Sequence, residues 1–146
     1  AAPLEVPPDS QRVNRSPEAM EKEAMAYRAA LGVSGPLPEA QMFASIRLDG
    51  KQLFYASPSG LTVAFVNLRP LVPGHVLVVP RRPAPLLADL EDEELIDLFR
   101  SVRTVQGMVE QYYGASASNI GIQDGKGAGQ SVPHVHVHVL PRPEMR

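Results

Sequence analysis

The sequence predicts an α+β fold built on an antiparallel meander, and three observations carry that prediction. Two segments repeat apolar residues at helical spacing, several shorter ones alternate or run apolar as strands do, and most links between the strands are of hairpin length. At 146 residues the chain fits a single domain able to bury its own core. It has fifteen prolines, four histidines and no cysteine. The missing thiols exclude disulfides, cysteine nucleophiles and thiolate metal sites. Fourteen basic against sixteen acidic residues leave a net charge of −2, which argues against a protein that coats nucleic acid. Arg69, Arg81, Arg82, Lys126 and Arg142 are few and suit one small anionic ligand instead. No apolar run approaches the ~20 residues of a membrane span, and Ala1 to Asn14 lacks the apolar core of a secretory leader, so cytosol or nucleus is the default compartment.

Ala1 to Arg15 reads as an extended, proline-rich arm. A helix follows, with Ser16 suited to its N-cap, Pro17 to its first turn and Gly32 to its C-terminus. Met20, Ala24, Tyr27 and Leu31 form its one narrow apolar stripe, so packing rather than propensity must hold it. After a linker from Gly32 to Pro38, Ile46 to Leu48 and Leu53 to Tyr55 flank Asp49-Gly50, the pair expected to make a two-residue hairpin turn. Leu61 to Phe65 is the next strand. Pro73-Gly74 suits a type II turn ahead of His75 to Val79, a strand apolar enough to be buried on both faces. The longest helix starts at Asp89 or a neighbour and ends at Gly114. Glu91 to Glu94 complement its dipole, and its buried stripe is expected from Leu95, Leu98, Phe99, Val102, Val105, Val109 and Tyr112. Ser118 to Ile122 and Val132 to Leu140 are the last strands. Residues 1–38 thus form the arm, helix and linker, and residues 39–146 the domain proper.

The chemistry concentrates in the last strand. Alternation puts His134, His136 and His138 on one face and Val135, Val137 and Val139 on the other, where the long helix can cover them. Near their ordinary pKa of about 6.5 these imidazoles are mostly neutral at pH 7, free to act as nucleophiles, acceptors or ligands. Three readings stand side by side. The bland one is a solvated, histidine-rich face. The second is a zinc site with His75 as an extra ligand, although no carboxylate lies within the segment to orient the rings. The third is nucleophilic attack on phosphorus. Gly125, Gly127 and Gly129, just upstream, let backbone N–H groups approach an anion, and Gln130 and Ser131 add side-chain donors.

The run His134-Val-His-Val-His-Val-Leu140 resembles the signature of the histidine triad superfamily, three histidines alternating with hydrophobic residues. Asn67-Leu-Arg-Pro-Leu-Val-Pro-Gly-His-Val-Leu-Val78, Asp89-Leu90, Gln123-Asp-Gly125 and Ala128-Gly-Gln-Ser-Val132 all resemble its Fhit branch, so the likeness extends from about Phe43 to Arg142. The resemblance implies a HIT-like five-stranded sheet and hydrolysis of dinucleoside polyphosphates, typically diadenosine triphosphate to AMP and ADP. The implied assembly is a homodimer with joined sheets, with no nucleic-acid or membrane partner. No tightly bound cofactor is implied, only a divalent cation (magnesium or manganese) accompanying the substrate.

The same resemblance makes His136 the nucleophile that carries the nucleotidyl group and gives His138 the α-phosphate. His134 and His75 would hold tautomers and ring orientation from behind. Asn67 would bind the ribose hydroxyls, and Gln123 would contact the nucleotide. Gly129, Gln130, Ser131 and Val132 would wrap the phosphates. Base stacking would come from residues between Phe43 and Tyr55. Ser131 stands where this branch usually has threonine and matches the Hint branch, which keeps a nucleoside phosphoramidase as an alternative. A signalling module that is active when nucleotide-loaded is another. The helix Arg15 to Arg28 resembles one that Fhit proteins carry at their C-terminus, and its place here reads as a circular permutation or as an unrelated amphipathic helix. If permuted, it packs through Met20, Ala24, Tyr27 and Leu31.

Overall fold

The computed structural model describes residues 14–32 and 34–143. Of the expected arm, all but Asn14 and Arg15 lies outside the described residues. Helix α1 (Pro17–Leu31) begins and ends as its caps require: Ser16 Oγ accepts the Ala19 N–H at 3.1 Å, and Gly32 takes a left-handed φ of +70°. Met20, Ala24 and Tyr27 are buried in the main core, with Leu31 packed at its margin. The expected stripe is therefore the packing face, and α1 shares one core with the residues that follow it.

Strands β1 (Ala40–Phe43) and β2 (Ile46–Asp49) pair with each other, and the chain reverses at Ala44, whose φ is +51°. This corrects the expected hairpin across Asp49-Gly50. Those residues instead enter a short 3₁₀ turn, with Asp49 accepting the Lys51 N–H. Gly50 is pressed so closely against the preceding chain that a Cβ would lie 2.6 Å from both the Pro38 and Glu39 carbonyl oxygens. The Asp-Gly pair serves a tight crossing, and the strand before it finds its partner upstream.

The main sheet contains β3 (Leu53–Ala56), β4 (Thr62–Val66), β5 (Val76–Pro80), β6 (Ala117–Gly121) and β7 (Val137–Arg142), antiparallel throughout, in the order β3-β4-β5-β7-β6. The fold is thus α+β with a five-stranded antiparallel sheet. Its order departs from a simple meander once: helix α2 (Asp92–Tyr113) carries the chain past β5 to the far edge, and β7 returns into the gap. That return sets Leu77 of β5 opposite His138 of β7. One face of the sheet packs Phe54, Val66, Val76, Val78, Val137 and Val139 under the two helices. The other carries Leu53, Val63, Phe65, Leu77 and Val79, with Phe43 from the β1–β2 hairpin laid over them.

Helix α2 starts later than Asp89, with Glu91 at its N-cap, and ends at Gly114 as expected. Leu98, Val102, Val105 and Val109 are buried, joined by Ser101 and Met108. Leu95, Phe99 and Tyr112 are exposed, contrary to expectation, Phe99 by 43%. The helix rests on a single sheet face, so only a narrow stripe is covered. Glu94 is likewise no mere dipole partner. It is buried, accepts the Glu91 N–H at 2.9 Å and pairs with the Arg82 guanidinium, which holds its carboxyl below the usual range.

Candidate active site

A cavity of about 620 Å³ opens on the sheet face that bears the histidines. Its walls come from Phe43, the loop Asn67–Leu71 with His75, Asn119 to Gly121 of β6, and Gln123, Ser131, Val132, His136 and His138. The imidazoles form a row. Centroid separations are 5.0 Å from His136 to His138 and 5.2 Å from His138 to His75, while Phe43 lies 5.1 Å from His136 and 5.4 Å from His134. The histidine run is less regular than a strand from Val132 to Leu140, because β7 begins only at Val137. Pro133 lacks an N–H to give a ladder, and the Val135 N–H is donated to Ala84 O at 2.8 Å. Even so, Val135, Val137 and Val139 reach the core beneath the helices.

Hydrogen bonds assign the ring protons. The His136 Nδ1–H donates to His134 O at 2.7 Å, which leaves the Nε2 lone pair of a neutral imidazole unprotonated. Leu71 N–H donates to His75 Nδ1 at 3.0 Å, so His75 carries its proton on Nε2 and donates it to His138 Nδ1 at 2.9 Å. His138 is thereby left with an Nε2–H donor, and that atom is buried without a hydrogen-bond partner among the described residues. Asn67 Nδ2 lies 3.2 Å from His75 Nε2, and its Oδ1 accepts the Arg69 N–H. His134 is different. It is fully buried, accepts the Ala44 N–H on Nδ1 and donates from Nε2 to Pro80 O at 2.8 Å. Both its nitrogens are used, it does not line the cavity, and its service to the site is the carbonyl that orients His136.

Burial pushes the pKa values of His134 and His136 down, and burial together with the nearby His136 lowers that of His138 to about 4. These three imidazoles are therefore neutral at pH 7. The unfolded chain, with histidines near 6.5, binds protons before the folded one does, so stability is full above pH 6.5 and falls as pH drops toward 4. For His138 alone the expected loss between pH 7.5 and 5 is about 2 kcal/mol. Urea denaturation at the two pH values, repeated on His138→Gln, checks this: the variant should lose less stability on acidification than the parent chain.

The remaining expected site residues divide. Asn67, Gln123, Ser131 and Val132 line the cavity. The Gln130 side chain does not, because it braces the glycine loop, accepting the Gly125 N–H at 2.8 Å and donating to Pro85 O and Val132 O. Gly129 acts by its size: at φ +92°, its Cβ position would lie 2.6 Å from Gln123 Nε2. Among the described basic residues only Arg69 lines the cavity. Arg81 is bound to Gln41, Arg82 to Glu94 and Arg142 to Asn119. Asn119 to Ile122 were not anticipated, since nothing local marks an edge strand as a cavity wall. Among the described residues no three histidine, aspartate or glutamate side chains converge on a common metal position. The rings turn their nitrogens to one another and to carbonyls instead. No helix among the described residues is long and apolar enough to cross a membrane.

Comparison with known proteins identifies the family. The family model of the HIT domain matches residues 51–145. A bis(5'-nucleosyl)-tetraphosphatase [asymmetrical] of Schizosaccharomyces pombe is 61% identical over 93 residues, covering 64% of this chain and 50% of that protein. The bifunctional bis(5'-adenosyl)-triphosphatase/adenylylsulfatase FHIT of Arabidopsis thaliana is 48% identical over 100 residues, covering 68% of this chain and 54% of that protein. The chain thus spans about half the length of these curated relatives. Among solved structures, the Plasmodium falciparum diadenosine triphosphate hydrolase in complex with cyclomarin A superposes with a TM-score of 0.71 at 31% identity, covering 80% of each chain. The matched residues include the whole histidine row and its flanking loops, and the chain belongs to the HIT domain family.

Proposed function

We propose that this chain hydrolyses dinucleoside polyphosphates, releasing a nucleoside monophosphate through a nucleotidyl group carried on His136. The observation that carries the reading is the His136 tautomer: Nδ1–H is committed to His134 O, so an unprotonated Nε2 is available on a ring lining the cavity. Attack by that nitrogen forms an N–P bond at the α-phosphate and breaks the bond to the bridging oxygen, which leaves with the remaining nucleotide. The buried His138 Nε2–H has no other partner among the described residues, and it donates to a non-bridging phosphate oxygen as charge gathers there. A water molecule then forms the new P–O bond, the P–N bond breaks, the imidazole recovers its lone pair, and the water's proton is passed to solvent. Asn67 meets the ribose hydroxyls, Gln123 the nucleotide, and Ser131 the departing phosphate, with a divalent cation accompanying the polyphosphate. The relatives named as an adenosyl-triphosphatase and a nucleosyl-tetraphosphatase support this substrate class.

The chain acts as a homodimer joined through the outer edge of β6. The β3 edge is already occupied: Arg28 bonds Leu53 O, and Gly35 N–H and Ser34 Oγ bond Ala56 O. At the other end of the sheet, β6 lies outermost, with Asn119, Ile120 and Gly121 exposed. Light scattering reads the state, and a monomer at working concentration contradicts it.

Product analysis tests the catalytic reading. With α-³²P-labelled diadenosine triphosphate and tetraphosphate, AMP should appear from both, with ADP or ATP as the second product. Label trapped by alkaline quenching should map to His136. A preference for adenosine phosphoramidate over both dinucleotides would favour the phosphoramidase alternative, for which Ser131 in the cavity wall is the supporting observation.

A further inference from the structure

We infer that Arg15, fixed by Glu23 of α1, is a positioning residue for the nucleotide site, holding the Asn67 loop from outside the cavity. The inference rests on the proposed role of that cavity in binding a nucleotide. Strand β4 ends at Val66, and from Asn67 the chain leaves the ladder to form a cavity wall before β5 begins. The segment leading into α1 binds that loop repeatedly. Arg15 donates from Nε to Asn67 O at 3.1 Å and from Nη2 to the same carbonyl. Its backbone N–H donates to Leu68 O at 3.2 Å, and Asn14 Oδ1 accepts Arg69 Nε–H at 2.6 Å. Three successive loop residues are thus held by two residues that sequence reading assigns to a loose arm.

The clamp has its own support. Arg15 Nη1 forms an ion pair with Glu23 Oε2, two turns into α1, and the two side chains are only 23% and 16% exposed. A partly buried charged pair aims the guanidinium, and its remaining donors converge on one carbonyl. Beyond that carbonyl the contacts run inward: the Asn67 amide lies beside His75 Nε2, which donates to His138 Nδ1. Arg15 does not line the cavity. Its contribution is to order, before the nucleotide arrives, a loop that the ladder does not hold, so that binding does not bear that entropy cost.

Arg15→Ala, Arg15→Lys and Glu23→Gln are compared with the parent chain in calorimetric binding of AMP and in steady-state hydrolysis of diadenosine triphosphate, at a temperature where circular dichroism shows folded protein. For Arg15→Ala the expected rise is about tenfold in the AMP Kd and in KM, with kcat held within about twofold. Glu23→Gln should give about threefold, and Arg15→Lys should recover part of the loss because a single ammonium reaches the carbonyl but not both partners in fork geometry. An Arg15→Ala protein that melts earlier yet binds AMP like the parent chain would make the contact a fold anchor and overturn the inference. If Arg15→Ala does not fold, Glu23→Gln decides: weakened AMP binding supports the clamp, and unchanged binding overturns it. Arg15-dependent AMP binding without dinucleotide cleavage would keep the clamp and remove the hydrolase reading, whereas cleavage with Arg15-independent AMP binding would do the reverse.

Discussion

His136→Asn is expected to lower turnover of diadenosine triphosphate by about 10⁴-fold or more while leaving AMP binding within a few-fold of the parent chain. The reasoning is specific to one nitrogen. Nδ1 of His136 already donates to His134 O, so all of the ring's reactivity resides in Nε2. An asparagine amide supplies a donor for that carbonyl but no lone pair basic enough to form the N–P bond. The cavity walls contributed by Asn67, Gln123, Ser131 and His138 remain, so affinity should survive. The comparison variant is His138→Asn, which removes the proposed transition-state donor and leaves the proposed nucleophile. It is expected to lose about 10²–10³-fold, the scale of one oxyanion donor. Quench-flow measurement on both, with a search for trapped label, separates the roles. Residual turnover in His136→Asn above that of His138→Asn would remove His136 as the nucleophile.

Neutrality of the triad imidazoles is what the proposed nucleophile depends on. Protonation of His136 would occupy the Nε2 lone pair that the proposed attack requires, and burial opposes this by pushing all three triad imidazoles down, His138 to about 4. The arrangement of β7 beside β5 completes the chain of donors, because it brings His138 within reach of His75 just ahead of β5. A simple meander would have placed β6 there and left His138 one strand too far away. The departure from sequential strand order therefore belongs to the site as much as to the fold.

Both helices were legible from their caps and spacing, since Ser16, Pro17, Gly32 and Gly114 act through local backbone geometry. The histidine row was legible for the same reason: alternation over a few residues survives even where Pro133 delays the strand. Features decided by competition between partners were not legible. Asp49-Gly50 makes a good hairpin turn in isolation, but β2 is claimed by β1, a four-residue strand with a polar residue between its apolar ones. Leu95 and Phe99 fit the periodicity of α2, yet which part of a wide apolar face is buried depends on how the helix lies on the sheet. Gln130 reads as a phosphate donor until its amide is seen bonded on both sides within its own loop. In each case the local pattern was sound, and a competing partner outside it decided the outcome: β1 just upstream for β2, the sheet for α2, and its own loop backbone for Gln130.

Tyr27→Ala is expected to cost about 3–5 kcal/mol of folding stability, a large share of what a domain of this size possesses. Tyr27 is fully buried and meets Phe54, Tyr112 and Tyr113 edge-on at centroid distances of 5.3, 5.4 and 6.4 Å. Its hydroxyl lies 2.7 Å from that of Tyr113 and, being buried, resists ionisation well beyond the ordinary phenol. Truncation leaves a ring-sized cavity where α1, α2 and the sheet meet, and these rigid elements can collapse into it only in part. Tyr27→Phe removes the hydroxyl alone and should cost about 1 kcal/mol. Urea denaturation of the two variants distinguishes a stapled helix from a loosely docked one: an unchanged midpoint in Tyr27→Ala would mean that α1 contributes little to the fold. The consequence extends to the cavity. Tyr113 packs against Gly74, where a Cβ would lie 2.7 Å from its ring, and Gly74 directly precedes His75. The far end of α1 supports that contact through Tyr27, while the segment leading into α1 holds the Asn67 loop through Arg15. Loosening the helix should therefore weaken AMP binding as well as stability, and by more than the loss of Arg15 alone.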